Sequence, residues 1–133
     1  MGLFTVRATL IGPTGLTEDL ELLVDTGATF SVIPTAVANR LGLRVRRQQS
    51  VVIAGGRRDV WPVAEARIAI EGHGDVPTLS FITDEGPALL GATTLENLCV
   101  AVDPVARRLV DADAIVGACR RDQKPSARST ISL

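Results

Sequence analysis

The chain has 133 residues, 14 Lys and Arg against 15 Asp and Glu, and a formal net charge of −1. That length suits one domain with a modest core and excludes two lobes, and the near-balanced charge implies no polyanionic partner. Only three Phe and one Trp stand among 46% apolar residues, so Val, Ile, Leu and Ala must fill the core.

In chain order, Phe4, Val6, Ala8 and Leu10 alternate with Thr5, Arg7, Thr9 and Ile11, the period of a half-buried strand. Gly12-Pro13-Thr14-Gly15 reads as a turn, and Leu20 to Asp25 as a second strand. Pro34 to Leu41 predicts a short helix, with Pro34 in its first turn, Val37 and Leu41 on one face, and Gly42 to end it. Residues 43–53 read as extended. Ala54-Gly55-Gly56-Arg57-Arg58 breaks the pattern as a hairpin tip would, and the alternation of Val60, Pro62, Ala64, Ala66, Ile68 and Ile70 predicts a long strand after it. Trp61 falls on that outgoing strand and is expected to be partly buried. His73 lies in the turn 72–75 and is expected to be exposed. A strand over 78–83 and a turn over 84–87 follow. Thr93-Thr94-Leu95-Glu96 reads as a capping box opening a helix through Leu98, with Cys99 on its apolar side. Two short strands flank a turn at Asp103-Pro104. Residues 1–117 are read as the folded domain and 118–133 as a polar, loosely held tail.

Cys99 and Cys119 lack metal-ligand spacing, and neither a metal nor a cofactor is expected. The arginine groups have no aromatic platform beside them, so nucleic acid is not an expected partner. No apolar run reaches membrane-spanning length, and the first residues lack the layout of a signal peptide. The expectation is a cytoplasmic protein with reduced thiols and no membrane partner.

The feature that points to chemistry is Asp25-Thr26-Gly27-Ala28, entered from the apolar run Leu22-Leu23-Val24. A carboxylate at the end of a buried strand loses hydration, a cost that marks candidate sites. The motif resembles the apolar-apolar-Asp-Thr-Gly-Ala element of aspartic proteases. Ala88-Leu89-Leu90-Gly91-Ala92 is similar to the second, apolar-apolar-Gly element of that family, which packs behind the catalytic loop. Order and spacing resemble the single-domain, retropepsin-like members over about residues 3 to 112. The run from Leu89 to Leu98, followed by Val102-Asp103-Pro104, resembles stand-alone bacterial relatives more than the viral enzymes. The resemblance implies a mostly β fold, a single-domain closed barrel or sandwich with a flap hairpin and one or two short helices. It implies that Asp25 is catalytic, that Thr26, Gly27 and Ala28 form the active-site loop, that Ile53, Ala54, Gly55 and Gly56 form the flap, and that Leu89, Leu90 and Gly91 support the loop.

This chemistry needs two carboxylates that share a proton, and the chain offers only one in a suitable setting, since Asp84-Glu85-Gly86 lacks the Thr and the apolar strand. A two-fold homodimer would supply the second from a copy of Asp25. The function implied is an aspartic endopeptidase acting on an extended peptide or protein. The alternative is a catalytically silent module of the same fold that dimerises or binds peptides. Retroviral members carry an acidic residue and an Arg where this chain has Thr29 and Ala92, so their intersubunit ion-pair lattice is missing here.

Overall fold

The computed structural model of the chain describes residues 4–117, so the polar tail expected over 118–133, with Cys119, lies outside the described residues. Eleven elements follow one another: strands β1 (Thr5–Ile11), β2 (Thr17–Val24) and β3 (Ser31–Ile33), helix α1 (Thr35–Leu41), strands β4 (Val45–Val52), β5 (Arg58–Ile70), β6 (Gly74–Ile82) and β7 (Leu89–Leu90), helix α2 (Ala92–Leu98), and strands β8 (Val100–Asp103) and β9 (Arg108–Asp111). Seven strands form one sheet in the order β1-β2-β7-β3-β6-β5-β4, and β1 also pairs with β5. That extra pairing joins Ala8 to Ile70 and Leu10 to Ile68, and closes six of the strands into a ring. A closed ring leaves no unpaired edge among its members. β4 stays outside the ring, paired among the described residues to β5 alone, and β8 and β9 form a separate ribbon.

The period-2 patterns place the core. Leu10, Leu22, Val24, Ala64, Ala66 and Ile68 turn inward, and Val37, Ala38 and Leu41 of α1 cover one mouth of the barrel. Gly12 belongs to the same packing: a Cβ there would lie 2.1 Å from the Leu41 carbonyl oxygen, so the turn after β1 can approach the end of α1 only as glycine. Gly42 ends α1 in the left-handed conformation, φ 72°, as the sequence predicts.

Three expectations are corrected, and the long strand β5 forms as predicted. Along it, Val60 is 56% exposed, while Val63 on the opposite face is buried with Val32 and Phe81 in a second apolar cluster. The cause is topological. β6 pairs with β5 only from Val63 onward, so residues 58–62 run out beyond the ring with β4 as sole partner. Cys99 is exposed, because it ends α2 in a left-handed conformation and turns its side chain off the helix's apolar side. His73 is only 19% exposed and its Nδ1 lies 3.1 Å from the Asp111 carboxylate. The capping box does not form: α2 starts at Ala92, with Gly91 as N-cap and no side-chain cap. β3 has no counterpart in the predicted elements, since three residues are too few to show a period.

Among the described residues, no helix is long and apolar enough to cross a membrane, and no group of His, Cys, Asp and Glu could hold a metal ion. Ile68 is fully buried where β5 pairs with both β1 and β6. Ile68→Ala is expected to cost about 2–5 kcal/mol in urea unfolding, the range for emptying a well-packed aliphatic site.

Candidate active site

Asp25 follows the last residue of β2, and its backbone is fixed on both sides. Its N–H donates to the Leu90 carbonyl at 3.0 Å, one step after Leu23 N–H donates to Ala88 O at 3.0 Å. β7 therefore holds the strand that delivers the aspartate, running parallel to β2 while it pairs antiparallel with β3 through Val32 and Leu89. Beyond Asp25 the chain turns sharply. Ala28 N–H donates to Asp25 O at 3.2 Å, and Gly27 N–H donates to the Asp25 Oδ1 at 2.9 Å. The second of these bonds orients the carboxylate by a main-chain donor. Asp25 is half-buried within the single chain, and Thr26 and Gly27 are exposed.

The two sequence motifs meet directly. Gly91 packs so closely on the loop that a Cβ there would lie 2.4 Å from both the carbonyl carbon and oxygen of Phe30 and 2.8 Å from Ser31 N. Its N–H donates to Ser31 Oγ at 3.0 Å. The next two N–H groups, of Ala92 and Thr93, donate to the Ala28 and Thr29 carbonyls at 2.7 and 3.0 Å. The first turn of a helix has N–H groups with no partner inside the helix, and here the loop after Asp25 supplies their acceptors. This explains the missing capping box. Thr94 is fully buried, 2.7 Å from Ser31 Oγ and 3.1 Å from Thr78 Oγ1. At Thr29 and Ala92, where retroviral members place charged side chains, these contacts between loop and helix run through the backbone.

A cleft of about 570 Å³ opens beside the loop, lined by Gly27, Ala28 and Thr29, by Phe30, Phe81 and Leu89, and by Trp61 and residues 49–52 of the β4–β5 hairpin. Three of the four aromatic residues sit here in contact. Phe30 and Phe81 have ring centroids 5.1 Å apart, and Trp61 meets Phe81 edge-on at 5.6 Å. Trp61 is half-buried, as the sequence predicts. The hairpin tip spans the expected residues: Ile53 N–H donates to Arg57 O at 2.8 Å, Gly56 N–H to Ile53 O at 2.9 Å, and Gly55 and Gly56 take φ of 92° and 86°. Thus the structure brings Asp25, Thr26, Gly27, Ala28, Leu89, Leu90 and Gly91 into one unit, while residues 53–56 stand on the neighbouring hairpin.

Sequence reasoning missed the buried hydroxyls of Ser31, Thr78 and Thr94, and the role of Asp59. The signal for Ser31 was a lone polar residue inside the apolar run Phe30 to Ile33. Asp59 accepts from Val60 N–H at 2.8 Å and from the Trp61 indole at 3.3 Å. The Val60 N–H is the main reason its carboxyl is held below the ordinary value of 3.8; partial burial opposes the shift, and the indole, Arg57 and a hydrogen bond with Glu85 add to it.

Two predictions follow from this geometry. Ser31→Ala, which strips the buried Gly91 N–H of its acceptor, is expected to cost about 1–3 kcal/mol, and Gly91→Ala to cost more, since it forces the loop backbone apart; urea unfolding checks both. Because folding lowers the Asp59 value, its contribution is full above the unfolded-state value and is lost as pH falls through the lower, folded-state value. The gap between wild type and Asp59→Asn in denaturant midpoint should therefore close as pH drops below 3.8.

Comparison with known proteins agrees with this construction. The aspartyl protease family model matches residues 6–94. No curated protein matches the sequence. Among solved structures, the EIAV protease complexed with the inhibitor HBY-793 superposes with a TM-score of 0.55 at 26% identity, covering 71% of this chain and 86% of that one. With the family model spanning more than half of its length and a retroviral protease sharing its barrel, the chain belongs to the aspartyl protease family and has the retropepsin-like fold.

Proposed function

We propose that the protein is an aspartic endopeptidase that works as a homodimer, with Asp25 from each copy forming the catalytic pair. The observation that carries this reading is the setting of Asp25: a carboxylate oriented by Gly27 N–H on a rigidly held turn, beside a cleft with no Asp or Glu among its described lining residues. One such carboxylate is half of the chemistry. The exposed Thr26 and Gly27 are where a second copy would approach, and Thr26 would hydrogen-bond across the two-fold axis.

In the pair, two carboxylates held close share one proton and titrate as a unit. The ionised member takes a proton from a bound water, whose oxygen attacks the scissile carbonyl. The protonated member donates its hydrogen bond to the developing oxyanion. Collapse of the tetrahedral adduct transfers a proton to the leaving amine and breaks the C–N bond, giving a carboxylic acid and an amine with no covalent enzyme intermediate. The substrate would lie extended in the cleft as an added strand, its side chains against Phe30, Trp61, Phe81 and Leu89. Residues 53–56 would close over it as a flap and exclude water.

The test is a diverse peptide mixture incubated with wild type and with Asp25→Asn from about pH 3 to pH 8, with products identified by mass spectrometry and oligomeric state by sedimentation. Wild type is expected to cleave as a dimer, and Asp25→Asn to lose activity by about 10²- to 10⁴-fold or more while remaining dimeric. Peptide binding without cleavage by a dimeric wild type would instead establish the silent module.

A further inference from the structure

We propose that Arg57, Asp59 and Glu85 form an ionic clasp that positions the β4–β5 hairpin over the cleft, with Trp61 as the part of the hairpin that the clasp sets in place. The inference rests on reading residues 53–56 as the lid of a peptide site.

The hairpin needs such a device. Outside the closed ring, residues 58–62 of β5 pair with β4 alone. A two-stranded ribbon is marginal in water without further packing. Among the described residues, the half-buried packing of Val51 and Trp61 on the second apolar cluster and one ionic contact at its tip join this ribbon to the body. Arg57 Nη2 donates to Glu85 Oε1 at 3.2 Å, linking the ribbon to the loop between β6 and β7. The same guanidinium places Nη1 3.6 Å from Asp59 Oδ2, the oxygen that also accepts from the Trp61 indole N–H at 3.3 Å. Asp59 Oδ1 is held by Val60 N–H at 2.8 Å, so the carboxylate is fixed at both oxygens.

The partner loop is itself anchored. Glu85 N–H donates to Thr83 Oγ1 at 3.1 Å, and Asp84 Oδ1 accepts from Thr35 N–H at 2.9 Å, which ties the loop to the start of α1. A path thus runs from α1 to Asp84, on to its chain neighbour Glu85, through Arg57 and Asp59 to Trp61, and from Trp61 through Phe81 to Phe30, five residues after Asp25. Arg57 is 61% exposed and Glu85 50% exposed. Exposed pairs are weak and screened by salt. A weak latch suits a lid that must open on every turnover, since a strong one would hold it shut.

The chain contains a single Trp, so its fluorescence reports on this element alone. Acrylamide quenching is measured for wild type, Arg57→Gln, Glu85→Gln and Arg57→Lys, from low salt to about 1 M, where charges on the surface are screened within a few ångström. Wild-type quenching is expected to rise about two- to fivefold with salt, the span a surface ion pair can supply. Arg57→Gln and Glu85→Gln are expected to show the high value at every salt concentration, and Arg57→Lys to recover part of the protection. On a cleaved peptide, the two Gln variants should raise KM by a similar factor and change kcat little. Quenching that ignores salt in wild type, or that is the same in Arg57→Gln, would overturn the clasp. If no form of the protein cleaves peptides, the protease reading falls, and the quenching data still decide the clasp.

Discussion

The structure depends on the seam between Ala28-Thr29-Phe30-Ser31 and Gly91-Ala92-Thr93. Two loop carbonyls accept the first N–H groups of α2, and Gly91 lies flat against the Phe30–Ser31 peptide. Because these are backbone contacts, few side-chain changes can loosen them. The same seam solves two problems. It gives the helix start its acceptors, and it fixes the far side of the turn that carries Asp25. The near side is fixed by Leu90, through Asp25 N–H. In the proposed dimer, a carboxylate that must meet its counterpart needs this degree of fixation, since a misplacement of about 1 Å is costly in catalysis.

Around that seam the molecule divides into a rigid part and a lightly held part. The rigid part is the closed ring, with buried aliphatic side chains and a hydroxyl trio of Ser31, Thr78 and Thr94. Such a network adds specificity only when its members are satisfied. The lightly held part is the β4–β5 hairpin, which leaves the ring at Val63 and carries Trp61 and the glycine tip. The cleft lies between them, with one wall from each part. Under the proposed function, the hairpin wall is the one that would move, admitting an extended chain and then excluding water around it.

The sequence located the strand, the aspartate turn and the long β5 strand because each leaves a local trace: an alternation, a Gly-containing turn, an apolar run. It also located Leu89-Leu90-Gly91, by resemblance and by spacing from Asp25. It misjudged residues whose setting is made by distant chain. Thr93 and Glu96 have the local form of a capping box, but the helix begins earlier, at Ala92, and carbonyls from more than sixty residues back accept its first N–H groups. Cys99 shares the helix's apolar side by periodicity, and its left-handed backbone takes it away from that side. His73 sits in a turn by local rule, and β9 brings Asp111 to it.

By itself, then, the sequence determined which residues could carry chemistry and which strand would deliver them, since carboxylate, turn glycine and apolar run are adjacent in the chain. Tertiary structure alone decided how firmly they are held and what faces them. Ring closure by β1 and β5, the three-aromatic wall of the cleft, and the Arg57–Asp59–Glu85 cluster all join residues far apart in sequence. Such contacts leave no local period, because their energy comes from packing and charge placement that exist only after the chain has closed on itself.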